Sequence, residues 1–283
     1  MSSTTVTKAV IPAAGLGTRV RGVAGDLPKE LLTVAAKPLI VHAIERLAAS
    51  GIRKIAVVIS PQKENIRRFL LGEPPDFLAP QLDTHLKVLL RACQFTFLIQ
   101  PRPDGVADAV SLCREFVDND PFALVMPDNI LLDGLPVEAQ LLPFFFKHPQ
   151  DMVGAIRVGA GEASRFGNVG VLEAESLPGE SERLFRVTRS SEKNEGTLQV
   201  ETGKTVLKNF GGGIYLPHYF DYIEQWRRQA TGEVDDVPVI QAIVREKGLL
   251  AVVLEGNGFD VGNTAGYWAA KLHSESKHPL RGG

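Results

Sequence analysis

Four short runs in the first half of the chain, at residues 9–12, 55–59, 95–99 and 122–126, are apolar at nearly every position rather than at alternate ones. A strand of that kind has to be covered on both faces. Between the runs lie segments with helical spacing. Leu39, Ile40, Ala43, Ile44, Leu47 and Ala48 form one stripe, closed by Gly51. Residues 64–71 form a second helix, and Val106, Ala109, Val110, Cys113, Phe116 and Val117 form another stripe. Strand and helix in alternation, with near-continuous apolar strands, imply an α/β fold with a mostly parallel sheet. Ligands of such sheets bind beyond the carboxyl ends of the strands. The turn at Gly15, Gln100 and Asp128 all fall at that edge.

The second half is less regular. Strands are expected at 152–158, 169–172, 185–188, 213–216 and 250–254, with helices at 219–228, 237–246 and 264–272. The polar stretches 173–182 and 195–204 read as loops or a hairpin tip, and the tail from Ser274 as frayed. There is no internal repeat. We expect one domain over 1–273, with a nucleotide-binding part at about 6–135 and a second part at about 150–260, followed by a polar tail at 274–283.

The bulk properties remove several functional classes. The net charge of −2 over 283 residues provides no basic field for a nucleic acid. Cys93 and Cys113 are the only cysteines, too few for a disulfide framework or a zinc cluster, and they suit a reducing compartment. No apolar run is long enough to span a bilayer, and the N-terminus lacks a signal core. The expectation is a cytoplasmic protein without membrane or nucleic-acid partners.

The turn after the first strand carries the chemistry. It reads Val10-Ile11-Pro12-Ala13-Ala14-Gly15-Leu16-Gly17-Thr18-Arg19, followed by Leu27-Pro28-Lys29-Glu30. Small residues leave backbone N–H groups bare to cradle phosphate, and Arg19 and Lys29 add positive charge. Neither common glycine fingerprint applies. The position of the third dinucleotide-binding glycine is Val20, and no Gly-Lys-Ser/Thr follows for a P-loop.

With these residues in place, the chain resembles bacterial sugar-1-phosphate nucleotidyltransferases from about Val6 to about Leu272. It is most similar to the UTP–glucose-1-phosphate uridylyltransferases, with the glucose-1-phosphate thymidylyltransferases close behind. The matching pieces are Gly15-Leu-Gly-Thr-Arg19, Pro28-Lys-Glu30, Lys37-Pro-Leu-Ile40, Gln100 with Gly105-Val-Ala-Asp-Ala109, Pro127-Asp-Asn129, Asn209 with Gly213-Ile-Tyr215, and Asp260-Val-Gly-Asn263 before Gly266-Tyr267. The resemblance implies a three-layer, Rossmann-like α/β/α fold with a sugar-binding insertion. It also implies Mg2+-dependent transfer of a nucleotidyl group from a pyrimidine nucleoside triphosphate to a hexose-1-phosphate, and a homodimer or homotetramer.

The resemblance implies roles residue by residue. Arg19, Lys29 and Asp128 would be catalytic. Ala13, Ala14, Gly15, Gly17, Thr18, Arg19, Gln100, Gly105 and Asp128 would surround the nucleotide, with Gln100 reading the base through an amide that can donate and accept. Asp128 and Asp260 would hold magnesium, which needs few protein carboxylates. Asn129, Gly167, Glu192, Lys193, Gly213 and Tyr215 would receive the sugar phosphate. Glu192-Lys193-Asn194 fits the family's Glu-Lys-Pro, and Thr188-Arg189 is a second alignment for the same place. Two readings of other classes remain: a glycosyltransferase, which calls for an Asp-x-Asp motif that Asp128-Asn129-Ile130 does not supply, and a non-catalytic nucleotide-sugar-binding domain.

Overall fold

Alternate residues of the first strands go to opposite faces of one sheet. Ala9, Ile11, Ile55, Val57, Ala123 and Val125 belong to one buried cluster, and Val10, Ala56, Val58, Phe122 and Leu124 to another. Because both faces are apolar, both acquire helices. The helix Leu39–Ala49 covers the first face, and the helices Val106–Ser111, Tyr219–Arg227 and Val237–Glu246 cover the second. The result is the three-layer α/β/α fold. This computed structural model describes residues 5–167, 170–192, 196–229 and 232–277.

The strands are β1 (Lys8–Pro12), β2 (Thr33–Val34), β3 (Lys37–Pro38), β4 (Lys54–Ile59), β5 (Gln94–Ile99), β6 (Phe122–Val125), β7 (Asn129–Leu132), β8 (Met152–Gly159), β9 (Val171–Ser176), β10 (Leu184–Ser190), β11 (Thr205–Tyr215), β12 (Leu249–Val253) and β13 (Asn257–Asp260). Nine of them form one sheet in the order β5-β4-β1-β6-β11-β8-β12-β10-β9. The pairs β5–β4, β4–β1 and β1–β6 are parallel. β11 then runs antiparallel between β6 and β8. That reversal makes the sheet mixed and carries the early part of β11 past the carboxyl end of β6.

Two small pairs, β7–β13 and β2–β3, stand outside the sheet. They pack with Val20, Leu39, Tyr267 and Ala270 in a third apolar cluster. This cluster brings the chain around Asp128 and the chain around Asp260 to the same place, which their distance in sequence did not reveal.

Several expected elements differ in extent. The stripe at 106–117 is two helices, Val106–Ser111 and Arg114–Val117. The Ser111 hydroxyl donates to the Asp108 carbonyl at 2.6 Å, and the Leu112 N–H turns to Ala109 instead. β11 is much longer than 213–216, with a bulge between Asn209 and Gly213. The stretch at 173–182 begins as strand: β9 pairs with β10 and, at Val171 and Leu172, also with β11, and from Glu173 on its outer side is unpaired among the described residues and exposed, which makes it read as loop. Val137–Lys147 is a helix despite Pro143, with Leu141 and Phe145 buried. The last helix runs from Thr264 to Lys277, so Ser274 is helical rather than frayed; His273 and Lys277 both pair with Asp133. Cys93 and Cys113 are buried free thiols. Among the described residues no helix is long and apolar enough to cross a membrane.

Candidate active site

A cavity of about 540 Å³ opens at the carboxyl edge of β1 and β6. Its wall includes Ala14, Gly15, Gly17, Thr18, Arg19 and Lys29 from the first loops, Asp128 and Asn129 after β6, and Lys208 and Asn209 from β11. The fold supports this wall from behind. Lys63 is buried, and its Nζ donates to the Ala13 carbonyl at 2.8 Å and to both carboxylate oxygens of Glu30 at 3.0 and 2.8 Å. That bridge ties the glycine turn to the Pro-Lys-Glu segment and fixes where Lys29 emerges. Ala13 therefore shapes the turn from beneath rather than lining the cavity.

Charged groups converge at one end. Lys29 Nζ lies 2.5 Å from Asp128 Oδ2. Burial would discharge Lys29, but the Asp128 and Glu30 carboxylates outweigh it and raise its pKa. Burial also opposes charge on Asp128, yet Lys29 and Arg19 prevail and lower its pKa. Asp260 is buried and held by two backbone donors: Gly167 N–H to Oδ2 at 3.0 Å and Gly262 N–H to Oδ1 at 3.1 Å.

Gly262 marks where the two carboxylates meet. A Cβ there would lie 2.6 Å from Asp128 Oδ2 and 3.0 Å from Asp260 Oδ1. A Cβ on Gly167 would lie 3.0 Å from Arg19 Nη1 and 3.5 Å from Asp260 Oδ2. Arg19, Lys29, Asp128 and Asp260 thus share one end of one cavity. Two carboxylates facing each other across a glycine, with space for outside oxygens, fit a magnesium ion.

At the other end Gln100 is buried and lines the cavity. Its Nε2 donates to the Gly105 carbonyl at 3.1 Å and to Asp108 Oδ2 at 2.8 Å. Both partners only accept, so the orientation of the amide is set by chemistry. Gly105 has a positive φ of 104°, and a Cβ would lie 2.4 Å from the Val234 carbonyl, so no other residue fits. Val234 in turn accepts from Ala107 N–H and donates to the Asp104 carbonyl. The neighbouring Glu233, Asp235 and Asp236 also line the cavity.

The sugar half requires corrections. Glu192 is exposed and lines a separate depression with Val171, Glu173, Arg189 and Ser191. Lys193 and Asn194 lie outside the described residues. The second alignment fares no better, since the Thr188 hydroxyl donates to the Glu173 carbonyl and Arg189 pairs with the Glu173 carboxylate, both on the exposed sheet edge. The residue of β10 that does face the cavity is Ser190. Gly213 is packed inside the sheet, where a Cβ would lie 2.3 Å from the Met152 carbonyl; Gly211 and Gly212 line the cavity instead. Asn129 and Tyr215 are in the wall, and Asn129 Oδ1 accepts from Gly211 N–H at 3.1 Å.

Lys208 escaped the sequence reading. It is buried in the cavity wall, and burial lowers its pKa, with Asp260 offsetting this and Arg19 adding to it. Its one sequence signal is a lysine in an otherwise apolar strand beside Asn209.

Comparison with known proteins agrees with this architecture. A family model described as nucleotidyl transferase matches residues 8–277. A UTP–glucose-1-phosphate uridylyltransferase of Bacillus subtilis (strain 168) is 28% identical over 279 residues, covering 94% of this chain and 90% of that protein. A relative of the same name, numbered 1, from Staphylococcus saprophyticus is 29% identical over 268 residues, 93% of this chain and 90% of its own. Among solved structures, a UDP-glucose pyrophosphorylase complexed with UDP-glucose superposes with a TM-score of 0.80 at 22% identity, over 96% of this chain and all of the other. A UTP-bound enzyme from Acinetobacter baumannii gives 0.74 at 24% identity, over 98% and 95%.

Proposed function

This chain belongs to the nucleotidyl transferase family, and we propose that it transfers a uridylyl group from UTP to glucose-1-phosphate, releasing pyrophosphate. The observation that carries the reading is the convergence of Arg19, Lys29, Asp128 and Asp260 at one end of the cavity, with Gln100 and Gly105 at the other. The printed names of the relatives supply the choice of UTP and glucose.

In this reaction an oxygen of the sugar phosphate forms a bond to the α-phosphorus of the triphosphate. The bond from that phosphorus to the bridging oxygen breaks, and its electron pair leaves with pyrophosphate. No covalent enzyme intermediate is needed, so the protein acts by alignment and by neutralising charge. Arg19, on the exposed turn, holds the β- and γ-phosphates and the pyrophosphate that departs. Lys29, fixed by Asp128 and by the Lys63–Glu30 bridge behind it, faces the charge that builds at the α-phosphate. Asp128 and Asp260 would hold magnesium, which would supply positive charge to the phosphate oxygens.

Base choice follows from Gln100. With its amide nitrogen committed to Gly105 and Asp108, the side chain offers a base its carbonyl oxygen. That acceptor suits the N3–H of uracil or thymine and opposes the bare N3 of cytosine. The test is pyrophosphate release with UTP, dTTP, CTP, ATP and GTP against a panel of sugar-1-phosphates and Mg2+. UTP with glucose-1-phosphate should give the highest kcat/KM. Release with no pair, or with CTP ahead of UTP, would refute the reading.

A further inference from the structure

We propose that Lys208 is the cation that holds the phosphate of the sugar-1-phosphate. This rests on the uridylyl-transfer reading and assigns one of its residues. Both reactants are anions, so charge must be neutralised on the acceptor side as well as on the triphosphate side. Among the described residues, the cations in the cavity wall are Arg19, Lys29 and Lys208. Arg19 and Lys29 come from the turns after β1. Lys208 comes from β11, on the far side of β6, from the half of the chain that remains for the sugar.

The side chain is buried, which lowers its pKa; Asp260 and Asp128 lie close enough to offset part of that cost, while Arg19 adds to it. Burying a lysine is costly and is tolerated where opposite charges face it. Its neighbour Asn209 shares the wall, and Asn209 N–H donates to the Gly170 carbonyl at 2.7 Å, which fixes this stretch of β11. Of the two cations expected for this role, Arg189 is paired with Glu173 on the exposed edge and lines the separate depression with Glu192, and Lys193 lies outside the described residues.

The test compares ligands that differ by the acceptor phosphate. UMP carries only the phosphate of the transferred group, whereas UDP-glucose carries the sugar phosphate too. Equilibrium affinities for both are measured on the wild-type chain and on the Lys208→Met, Lys208→Arg and Lys193→Met variants, alongside KM for glucose-1-phosphate at saturating UTP. Lys208→Met should weaken UDP-glucose about 10- to 100-fold, the range for one charge-assisted contact, and leave UMP within about twofold. KM for glucose-1-phosphate should rise in step, and Lys208→Arg should recover most of both. Lys208→Gln, which keeps a polar end, stands in if the methionine chain fails to fold. An unchanged ratio of the two affinities, or the whole effect appearing in Lys193→Met, would overturn the assignment. A wild-type chain that binds UDP-glucose but turns over no sugar-1-phosphate would refute the transfer reading, and the affinity ratio would then decide the role of Lys208 independently.

Discussion

Replacing Gly262 with alanine should silence the site while sparing the fold. The added Cβ would stand 2.6 Å from Asp128 Oδ2 and 3.0 Å from Asp260 Oδ1. Carbon does not approach oxygen that closely, so the Asp128 carboxylate must retreat by at least about 0.4 Å. The same oxygen holds Lys29 at 2.5 Å, so the ammonium moves with it. A misplacement of about 1 Å costs about a hundredfold in aligned chemistry, so a retreat of about 0.4 to 1 Å predicts a loss of about 10- to 100-fold in kcat/KM. The magnesium concentration for half-maximal rate should rise as well. The displaced atom ends a side chain, so the melting temperature should change by no more than about 2 °C. Gly266→Ala is the contrast: its Cβ would lie 1.9 Å from the Asp260 carbonyl, which is backbone, and that variant should lose stability outright. Initial rates of pyrophosphate release across a magnesium titration, with thermal melts, decide the matter. A Gly262→Ala chain with wild-type kcat/KM and magnesium dependence would refute the convergence of Asp128 and Asp260 on the reaction.

Three further outcomes are expected. Gly15→Ala has nothing within 4 Å of its new Cβ, so melting should be unchanged, while KM for UTP should rise about tenfold if the nucleotide rests on that backbone; an unaltered KM would remove Gly15 from the site. Gln100→Ala should reduce the preference for UTP over CTP by about 10-fold with kcat on UTP within about twofold, measured by the ratio of kcat/KM values; an unchanged ratio would make Gln100 structural. Lys63→Met leaves Glu30 buried without its cation and should cost about 3–5 kcal/mol in urea unfolding, with Glu30→Gln added to it restoring most of the loss; a loss below about 1 kcal/mol would show that the bridge does not brace the turn.

What the sequence disclosed follows from the range of each signal. β1, β4 and β6 were legible because burial on both faces leaves an apolar run, as in Ile55–Val58, all of which are buried, whereas β5, at the end of the sheet, reads as an apolar run yet leaves Thr96 and Ile99 exposed. The glycine turn and Pro-Lys-Glu were legible because their chemistry is local. The approach of Asp128 to Asp260 is a tertiary event, made by the β7–β13 pairing and the third apolar cluster, and only the family resemblance anticipated it. The sugar half misled because β10 and the residues just after it offer two pairs, Thr188-Arg189 and Glu192-Lys193, that look equally suited in one dimension. Which residues face the cavity depends on the pleat and on a register shift between Val187 and Arg189. That pleat turns Ser190 inward and Arg189 outward, and the lysine that this half of the chain does place in the wall, Lys208, comes from β11.

The bond that breaks can be followed directly. UTP labelled with 32P at the α position is incubated with glucose-1-phosphate, magnesium and the purified chain, and the same is done with γ-labelled UTP. Nucleotidyl transfer predicts α-label in a nucleotide sugar and γ-label in pyrophosphate. γ-Label in inorganic phosphate, or α-label remaining in free UDP, would place the cut between the β- and γ-phosphates and contradict it.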